Sequence, residues 1–233
     1  MARELFVLSA GAAKAVVLAL QPAFEANSAA TLNATFGAVG AMREKWAAGA
    51  PCDVLILSSV LLDQLARDGA INASSRVSLG RVGTAIAARA GAALPPIADP
   101  AQLRATVLAA TSLYLPDPER ATAGIHCIDV LRRLDILEVM RSRLRPFPNG
   151  AVAMNELAVA QDANPIGCTQ VTEILYTPGV VLVGRLPAGF ELNTEYAAAV
   201  VARARESETA GRFVDVLGSE ATLAARRAGG FEA

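Results

Sequence analysis

Aromatic residues make up only 5% of this 233-residue chain, one histidine serves its whole length, and its three cysteines are far apart. Each scarcity excludes something. Few aromatics beneath a 53% hydrophobic content rich in alanine argue against an aromatic-filled β-sandwich and for helices packed closely on a sheet. Cys52, Cys127 and Cys168 show no Cys-x-x-Cys spacing, so no zinc or thioredoxin-like motif is present. Three thiols cannot all pair within one chain, and free buried cysteines are expected. With a single imidazole, a transition-metal site would have to be assembled from distant carboxylates and thiols, so neither metal nor cofactor is expected. The formal net charge of -1 gives no field to hold a polyanion, which excludes nucleic acid as a partner. The densest basic cluster, Arg141, Arg143 and Arg145, alternates with other residues and reads as a solvated edge.

Long apolar runs are also lacking. The stretch from Ala12 to Leu20 is interrupted by Lys14 and followed by Pro22. It is far shorter than the roughly 20 residues of a membrane span, reads as a core helix, and implies no membrane insertion. No apolar leader with a small-residue cleavage site precedes the first strand. The expected location is cytoplasmic as the chain stands, or periplasmic if a leader has been removed. There is no Gly-x-Ser-x-Gly elbow, phosphate-binding Gly-x-x-x-x-Gly-Lys or His-Glu-x-x-His, and no catalytic residue is assigned. The neighbours His126 and Cys127 would point about 100° apart on a helix and form no dyad by themselves. Cys168 approaching His126 is the one route to a nucleophile and base.

What is present is a repeated transition. Three apolar strands end on small residues and open helices: Leu5-Phe6-Val7-Leu8-Ser9-Ala10-Gly11, Thr35-Phe36-Gly37-Ala38-Val39-Gly40, and Leu55-Ile56-Leu57-Ser58-Ser59. A helix start leaves amide N–H groups without partners and carries partial positive charge, so a small residue there lets an anionic or strongly polar ligand reach the backbone. The first hundred residues alternate strand 4–9, helix 12–26, strand 30–36, helix 38–49, strand 53–57 and helix 59–68, the pattern of a parallel sheet with right-handed crossovers. In the second helix Val39, Met42 and Trp46 form the apolar stripe, and Gly49-Ala50-Pro51 stops it.

From Arg76 to Arg89 an extended, glycine-bearing run reads as a crossing into a second unit. There the pattern gives helix 99–110, strand 112–115, helix 121–134, a short helix near 136–141, strand 144–147, helix 150–161 and strand 165–169. Gly179-Val180-Val181-Leu182-Val183-Gly184 is read as the return crossing, followed by a strand from Tyr196 to Ala202 and a terminal helix bearing Phe213, Val214, Val216 and Leu217. The expected domains are 1–80 with 184–233 for lobe 1 and 81–183 for lobe 2. Two crossings place a ligand cleft between them.

Four stretches carry a family resemblance: Val7-Leu8-Ser9-Ala10-Gly11; Phe36 with Ala47-Ala48-Gly49-Ala50-Pro51-Cys52-Asp53-Val54-Leu55-Ile56; Pro116-Asp117-Pro118-Glu119-Arg120-Ala121-Thr122-Ala123-Gly124; and Asn193-Thr194-Glu195-Tyr196. The Ala-Gly-Ala-Pro-x-Asp string is the most specific. Together they resemble the type II periplasmic binding proteins of the molybdate-binding class, soluble receptors of oxyanion ABC transporters, over nearly the whole chain. The resemblance implies an α/β fold of two lobes, each a mixed sheet flanked by helices, joined by two hinge strands and closing on one ligand. It implies a small anionic ligand held by serine hydroxyls, backbone amides and a tyrosine, and an ABC transporter permease as partner if the chain is exported.

Two departures redirect the ligand. The family's serine-bearing helix start is here Gly37-Ala38-Val39-Gly40, without a hydroxyl, and Gln170 stands in the tyrosine's position. Fewer hydroxyl donors and a less polar pocket admit a small organic carboxylate as well as an oxyanion. The candidate ligand residues are Ser9, either a ligand hydroxyl or the cap of the first helix; Gly11, Gly37, Ala38 and Val39 through their backbone; Thr122 and Val152 at helix starts of the second lobe; His126, whose imidazole could pair with an anion; Gln170; and Arg81, whose fork suits a carboxylate. The alternative to a receptor or sensor is an enzyme on the same scaffold, an isomerase or lyase acting on a small organic acid. A ligand-sensing module of a transcription regulator is disfavoured, since no helix-turn-helix segment precedes the first strand.

Overall fold

The structure, a computed structural model, describes residues 3–232. It divides into two compact units, unit 1 comprising Met1–Val82 and Thr194–Ala233 and unit 2 comprising Gly83–Asn193.

Unit 1 is built from β1 (Arg3–Ala10), α1 (Lys14–Ser28) behind a 3-10 turn at Gly11–Ala13, β2 (Ala30–Gly37), α2 (Val39–Ala47), β3 (Val54–Ser58) and α3 (Ser59–Arg67). To these it adds the first part of β4 (Val77–Arg89) and the closing elements, labelled below. The runs read as strands from their apolar content are strands because both faces are covered: Leu5, Val7, Leu55, Ile56 and Leu57 are fully buried, as expected of a parallel sheet between helices. β1 pairs parallel with β2 and with β3. α2 ends where predicted, with Gly49 in the left-handed region at φ +88°, a conformation glycine adopts without steric penalty.

Unit 2 contains the rest of β4, then α4 (Pro100–Ala109), β5 (Ser112–Pro116), α5 (Thr122–Arg133), α6 (Leu137–Met140), β6 (Leu144–Phe147), α7 (Gly150–Val159), β7 (Pro165–Gln170), α8 (Val171–Tyr176) and β8 (Val180–Arg185). Its strands run in the order β6-β5-β7-β4-β8, with β5 parallel to β6 and β7, and β4 antiparallel to β7 and β8. The strand expected as the return crossing is β8, which lies inside unit 2 at the end of this order. The chain re-enters unit 1 one strand later, in β9 (Asn193–Val200), which pairs antiparallel with β3 and leads into α9 (Ser207–Gly218) and α10 (Leu223–Ala228).

The expectation of free cysteines is overturned. Cys127 of α5 and Cys168 of β7 form a disulfide, and only Cys52 is a free thiol. Their 41-residue separation carries no local signature, so the bridge is visible only once α5 is laid on β7. It joins residues of one core, with Ile86, Leu113, Leu131 and Met140 among their buried companions.

The most specific string of the sequence, Ala-Gly-Ala-Pro-x-Asp, has a structural explanation. Asp53 is 1% exposed, and its carboxylate accepts the backbone N–H groups of Phe6 at 2.9 Å, Arg205 at 2.8 Å and Glu206 at 3.3 Å. Three segments meet on one side chain just before β3, and the turn that leads into α9 is tied to it through the Arg205 and Glu206 amides. In α9, Phe213 is fully buried and meets Phe24 of α1 edge-on with ring centroids 4.8 Å apart.

Candidate functional site

The strand registers gather the helix starts at one edge of each sheet. In unit 1, Ala10 pairs with Gly37 and Ser9 with both Phe36 and Ile56, so β1, β2 and β3 finish together, and the turn before α1 and the starts of α2 and α3 stand side by side. Ser9, Gly11, Gly37, Ala38 and Val39 all lie along that edge. No side chain caps any of these helix starts.

Ser9 is fully buried, and its hydroxyl donates to the carbonyl of Ala10 at 2.9 Å. It therefore does not cap α1, and in this rotamer it offers an anion no proton. Gly37 faces the mobile end of Met42, whose methyl would lie 2.6 Å from an added Cβ and would have to swing aside. Arg81 is exposed, and its backbone exchanges hydrogen bonds with Glu232 at 2.7 and 2.8 Å. No strand register joins it to the helix-start edge.

In unit 2 the ends of β5, β6 and β7 open α5, α7 and α8, which brings Thr122, Val152 and Gln170 to one edge. Here two helix starts differ sharply. At α5 the preceding turn satisfies itself: Asp117 accepts from the amides of Glu119 and Arg120 at 2.8 and 3.0 Å. The helix proper has no side-chain cap. Gly124 lets it press against the end of β5, where a Cβ would come within 2.4 Å of the carbonyl oxygens of Pro116 and Asp117.

At α7 every first-turn amide is committed inside the protein. Asn149 caps Val152 at 2.9 Å, so the Val152 amide expected to bind ligand already has an acceptor. The carboxylate of Glu173, a residue 7% exposed, accepts the Thr169 hydroxyl at 2.5 Å and the amides of Gly150, Ala151 and Gln170. Burial pushes this carboxyl above the usual carboxylate range against the opposing pull of those hydrogen bonds. Glycine at position 150 makes the contact possible, because a Cβ there would lie 1.9 Å from a Glu173 oxygen.

His126, one turn into α5, directs Nε2 at the carbonyl of Phe190, 2.8 Å away. A carbonyl only accepts, so this nitrogen carries the proton and the ring fastens the loop after β8. Arg133 on the same helix stacks 4.4 Å above the Phe190 ring and donates to the Gly189 carbonyl. The route to a nucleophile through Cys168 is closed by the disulfide. Cys52 is no substitute: burial pushes its thiol up to about 12, and the thiolate is the reactive form. Cys52 lies instead in a hollow of about 580 Å³ in unit 1 lined also by Trp46, Asp68 and Arg203, next to Asp53 and so at the end of the sheet remote from the helix starts.

Sequence reasoning missed Glu173, Asn149 and the bridge between Cys127 and Cys168. Asn149 had a signal, an Asn placed directly before a glycine-led apolar helix. The other two are contacts between segments.

A family model described as bacterial extracellular solute-binding protein matches residues 5–232. A protein of a Pseudomonas species named aconitate isomerase is 28% identical over 225 residues, 93% of this chain and 82% of its own length. Among solved structures, the periplasmic molybdate-binding protein of Azotobacter vinelandii aligns with a TM-score of 0.80 at 18% identity, covering 98% of this chain and 99% of that one. A sulfate-binding protein of Mycobacterium tuberculosis H37Rv aligns at 0.76 and 17% identity, over 98% of this chain and 86% of its own. With its alternating units, its paired passages between them and its rows of helix starts, the chain belongs to the bacterial extracellular solute-binding proteins and has the type II periplasmic-binding-protein fold.

Proposed function

We propose that this protein is an exported receptor that binds a small organic carboxylate at open helix-start amides, the candidates being those of α1, α2 and α3 in unit 1 and that of α5 in unit 2, with an ABC transporter permease as partner. The observation that carries the reading is the row of open helix starts. Elsewhere the chain does supply a cap, as at α4, where Asp99 accepts the Gln102 amide at 2.8 Å. At the helix-start edges, the four helices named have no capping side chain. Amides left open in a row suit a negatively charged guest.

Support for a carboxylate over an oxyanion comes from two directions. The α2 start carries no hydroxyl, and the relative that spans most of this chain is named for aconitate, a tricarboxylate. Ser9, Gly11, Gly37, Ala38, Val39 and Thr122 are the proposed contact positions in this reading, with Gln170 beside them on the unit 2 edge. Export is supported by the disulfide, since such bonds persist in oxidising compartments; among the described residues no helix is long and apolar enough to cross a membrane.

Isothermal titration with cis-aconitate, trans-aconitate, citrate, molybdate, tungstate and sulfate tests the reading. Saturable binding of at least one carboxylate, tighter than any of the three oxyanions, is expected. Tight molybdate binding with no response to the carboxylates would overturn it.

The named relative also favours a second reading, isomerisation of the bound acid. Proton NMR of trans-aconitate incubated with the purified protein decides this. Appearance of the cis isomer above the protein-free rate establishes an enzyme, and a flat record with measurable binding establishes a receptor.

A further inference from the structure

Buried hydroxyls normally find partners, and those that do not require an explanation. Among the described residues the buried and unpartnered hydroxyls belong to Ser28, Ser59, Thr84, Thr172, Thr194 and Thr209. Ser59 is the first residue of α3, which runs for nine residues and has no side-chain cap. Thr194 reaches the same edge, because Tyr196 pairs antiparallel with Ser58 and Thr194 lies two residues further along, past the end of β3.

Thr84 occupies the corresponding place in unit 2. It stands directly opposite Gln170, and Ile86 directly opposite Cys168. Directly paired residues share a face of the sheet, and Cys168 is bonded to Cys127 of α5. Thr84 is therefore on the face that α5 covers. From Cys168 to Gln170 along the strand, and from Cys127 back to Thr122 along the oppositely running helix, are both steps of about 7 Å, so the Thr84 hydroxyl is level with the uncapped start of α5. Ser59, Thr84 and Thr194 are 6%, 1% and 8% exposed.

We infer that Ser59 and Thr194, beside the open amides of α3 in unit 1, and Thr84, level with the open start of α5 in unit 2, are ligand-binding residues, each donating its hydroxyl proton to a carboxylate oxygen. This deepens the receptor reading and rests on it. A hydroxyl kept from water without a partner destabilises the unliganded protein; placed where a ligand supplies the acceptor, it becomes part of the binding energy. Ser59 and Thr194 stand at the same unit 1 edge as the α2 start, and Thr84 stands at the helix-start edge of unit 2.

The test uses Ser59→Ala, Thr194→Val, Thr84→Val and, as a control off these edges in α9, Thr209→Val. Each is measured by thermal melting without ligand and by titration with trans-aconitate and with molybdate as probes. All four are expected to melt higher than the wild type. Only the first three are expected to lose affinity, about tenfold each for one hydrogen bond to a charged acceptor, and Thr194→Ser and Thr84→Ser are expected to restore it. A wild type that binds a probe while the three variants bind it equally well overturns the hydroxyl assignment and leaves the receptor reading standing. A lower melting temperature in a variant without ligand shows that its hydroxyl has a structural partner and overturns the assignment for that residue. A wild type that binds neither probe removes both.

Discussion

In unit 2, α5 and α7 follow neighbouring parallel strands and begin at the same edge of one sheet, yet they treat their first amides in opposite ways. α7 is closed by its own protein, with Asn149 on one amide and the Glu173 carboxylate on two more, whereas α5 has no capping side chain. Both carry the same partial positive charge. A helix start is thus left open to an outside anion only where the chain declines to provide the acceptor, and position after a strand does not distinguish the two cases. Val152 and Thr122 look alike in the sequence for this reason and differ in the fold.

Removing the internal anion breaks the comparison most severely. In Glu173→Ala the amides of Gly150, Ala151 and Gln170 and the hydroxyl of Thr169 lose their acceptor inside a buried site. A loss of roughly 3–5 kcal/mol is expected, since each buried group left unsatisfied costs about 1–3 kcal/mol and neighbouring groups relax together. Urea denaturation measures it. If acetate or formate restores the variant's stability saturably while leaving the wild type unchanged, the α7 start is an anion site that the protein fills for itself; a loss below about 1 kcal/mol would mean the network does not matter.

The disulfide comes next, because it fixes α5, the open helix, to β7. Replacing both cysteines, Cys127→Ser with Cys168→Ser, should remove about 2–4 kcal/mol, mainly by freeing the unfolded chain. Reduction of the wild type should lower its melting temperature by a similar amount, and the double variant should not respond to reductant. Insensitivity of the wild type would show that the bridge is absent from the protein in solution.

A smaller effect separates the Glu173 carboxyl from the surface carboxyls by pH. Its folded-state pKa is raised above 4.5, so the native state holds a proton that the unfolded chain has released. Its contribution to stability is complete below the unfolded value and is lost as pH rises through the folded one, by about 1.4 kcal/mol for each unit between the two. Asp162 and Glu25 act in the opposite sense: hydrogen bonds from Ser112 and Tyr114 to the first, and from the Leu32 amide and Gln21 to the second, hold both below the ordinary carboxylate range. Their contributions fade as pH falls. The difference in stability between wild type and Glu173→Gln, followed from pH 4 to 8, isolates the Glu173 slope, which should fall with rising pH. A difference that stays constant would mean that Glu173 titrates alike in the folded and unfolded chain.

Much of this was legible in the residues. The α/β class and the order of strands and helices follow from apolar runs punctuated by Gly and Pro, because those patterns are local: the second strand was read as 30–36 and is Ala30–Gly37, and the stop at Gly49 falls where read. What escaped reading depends on segments distant in sequence. The partner of Glu173 at Gly150 is 23 residues away and is dictated by how α8 packs on α7. Cys127 and Cys168 are hidden by an odd cysteine count. The return into unit 1 was placed at the apolar run 179–184, yet an antiparallel partner strand and a crossing strand have the same composition, and only pairing with β4 tells them apart. Ser59, Thr84 and Thr194 carry no pattern at all, since a satisfied hydroxyl and an unsatisfied one are the same residue in the chain.

The finest adjustment is to make α5 resemble α7. Ala121 already has the extended backbone of a capping residue, φ -98° and ψ 129°, and lacks only a side-chain oxygen. Ala121→Ser adds one within reach of the second or third amide of the helix, and a new cap of this kind stabilises by about 0.5–1 kcal/mol. The unliganded protein should therefore melt slightly higher. Affinity for the carboxylate should fall by several-fold as the serine competes for the same amides, whereas Asn149→Ala at α7 should destabilise by about 1 kcal/mol and leave affinity alone. If Ala121→Ser stabilises the protein and binding is untouched, α5 is not where the ligand is held, and unit 2 then engages its guest through Thr84 and Gln170 instead.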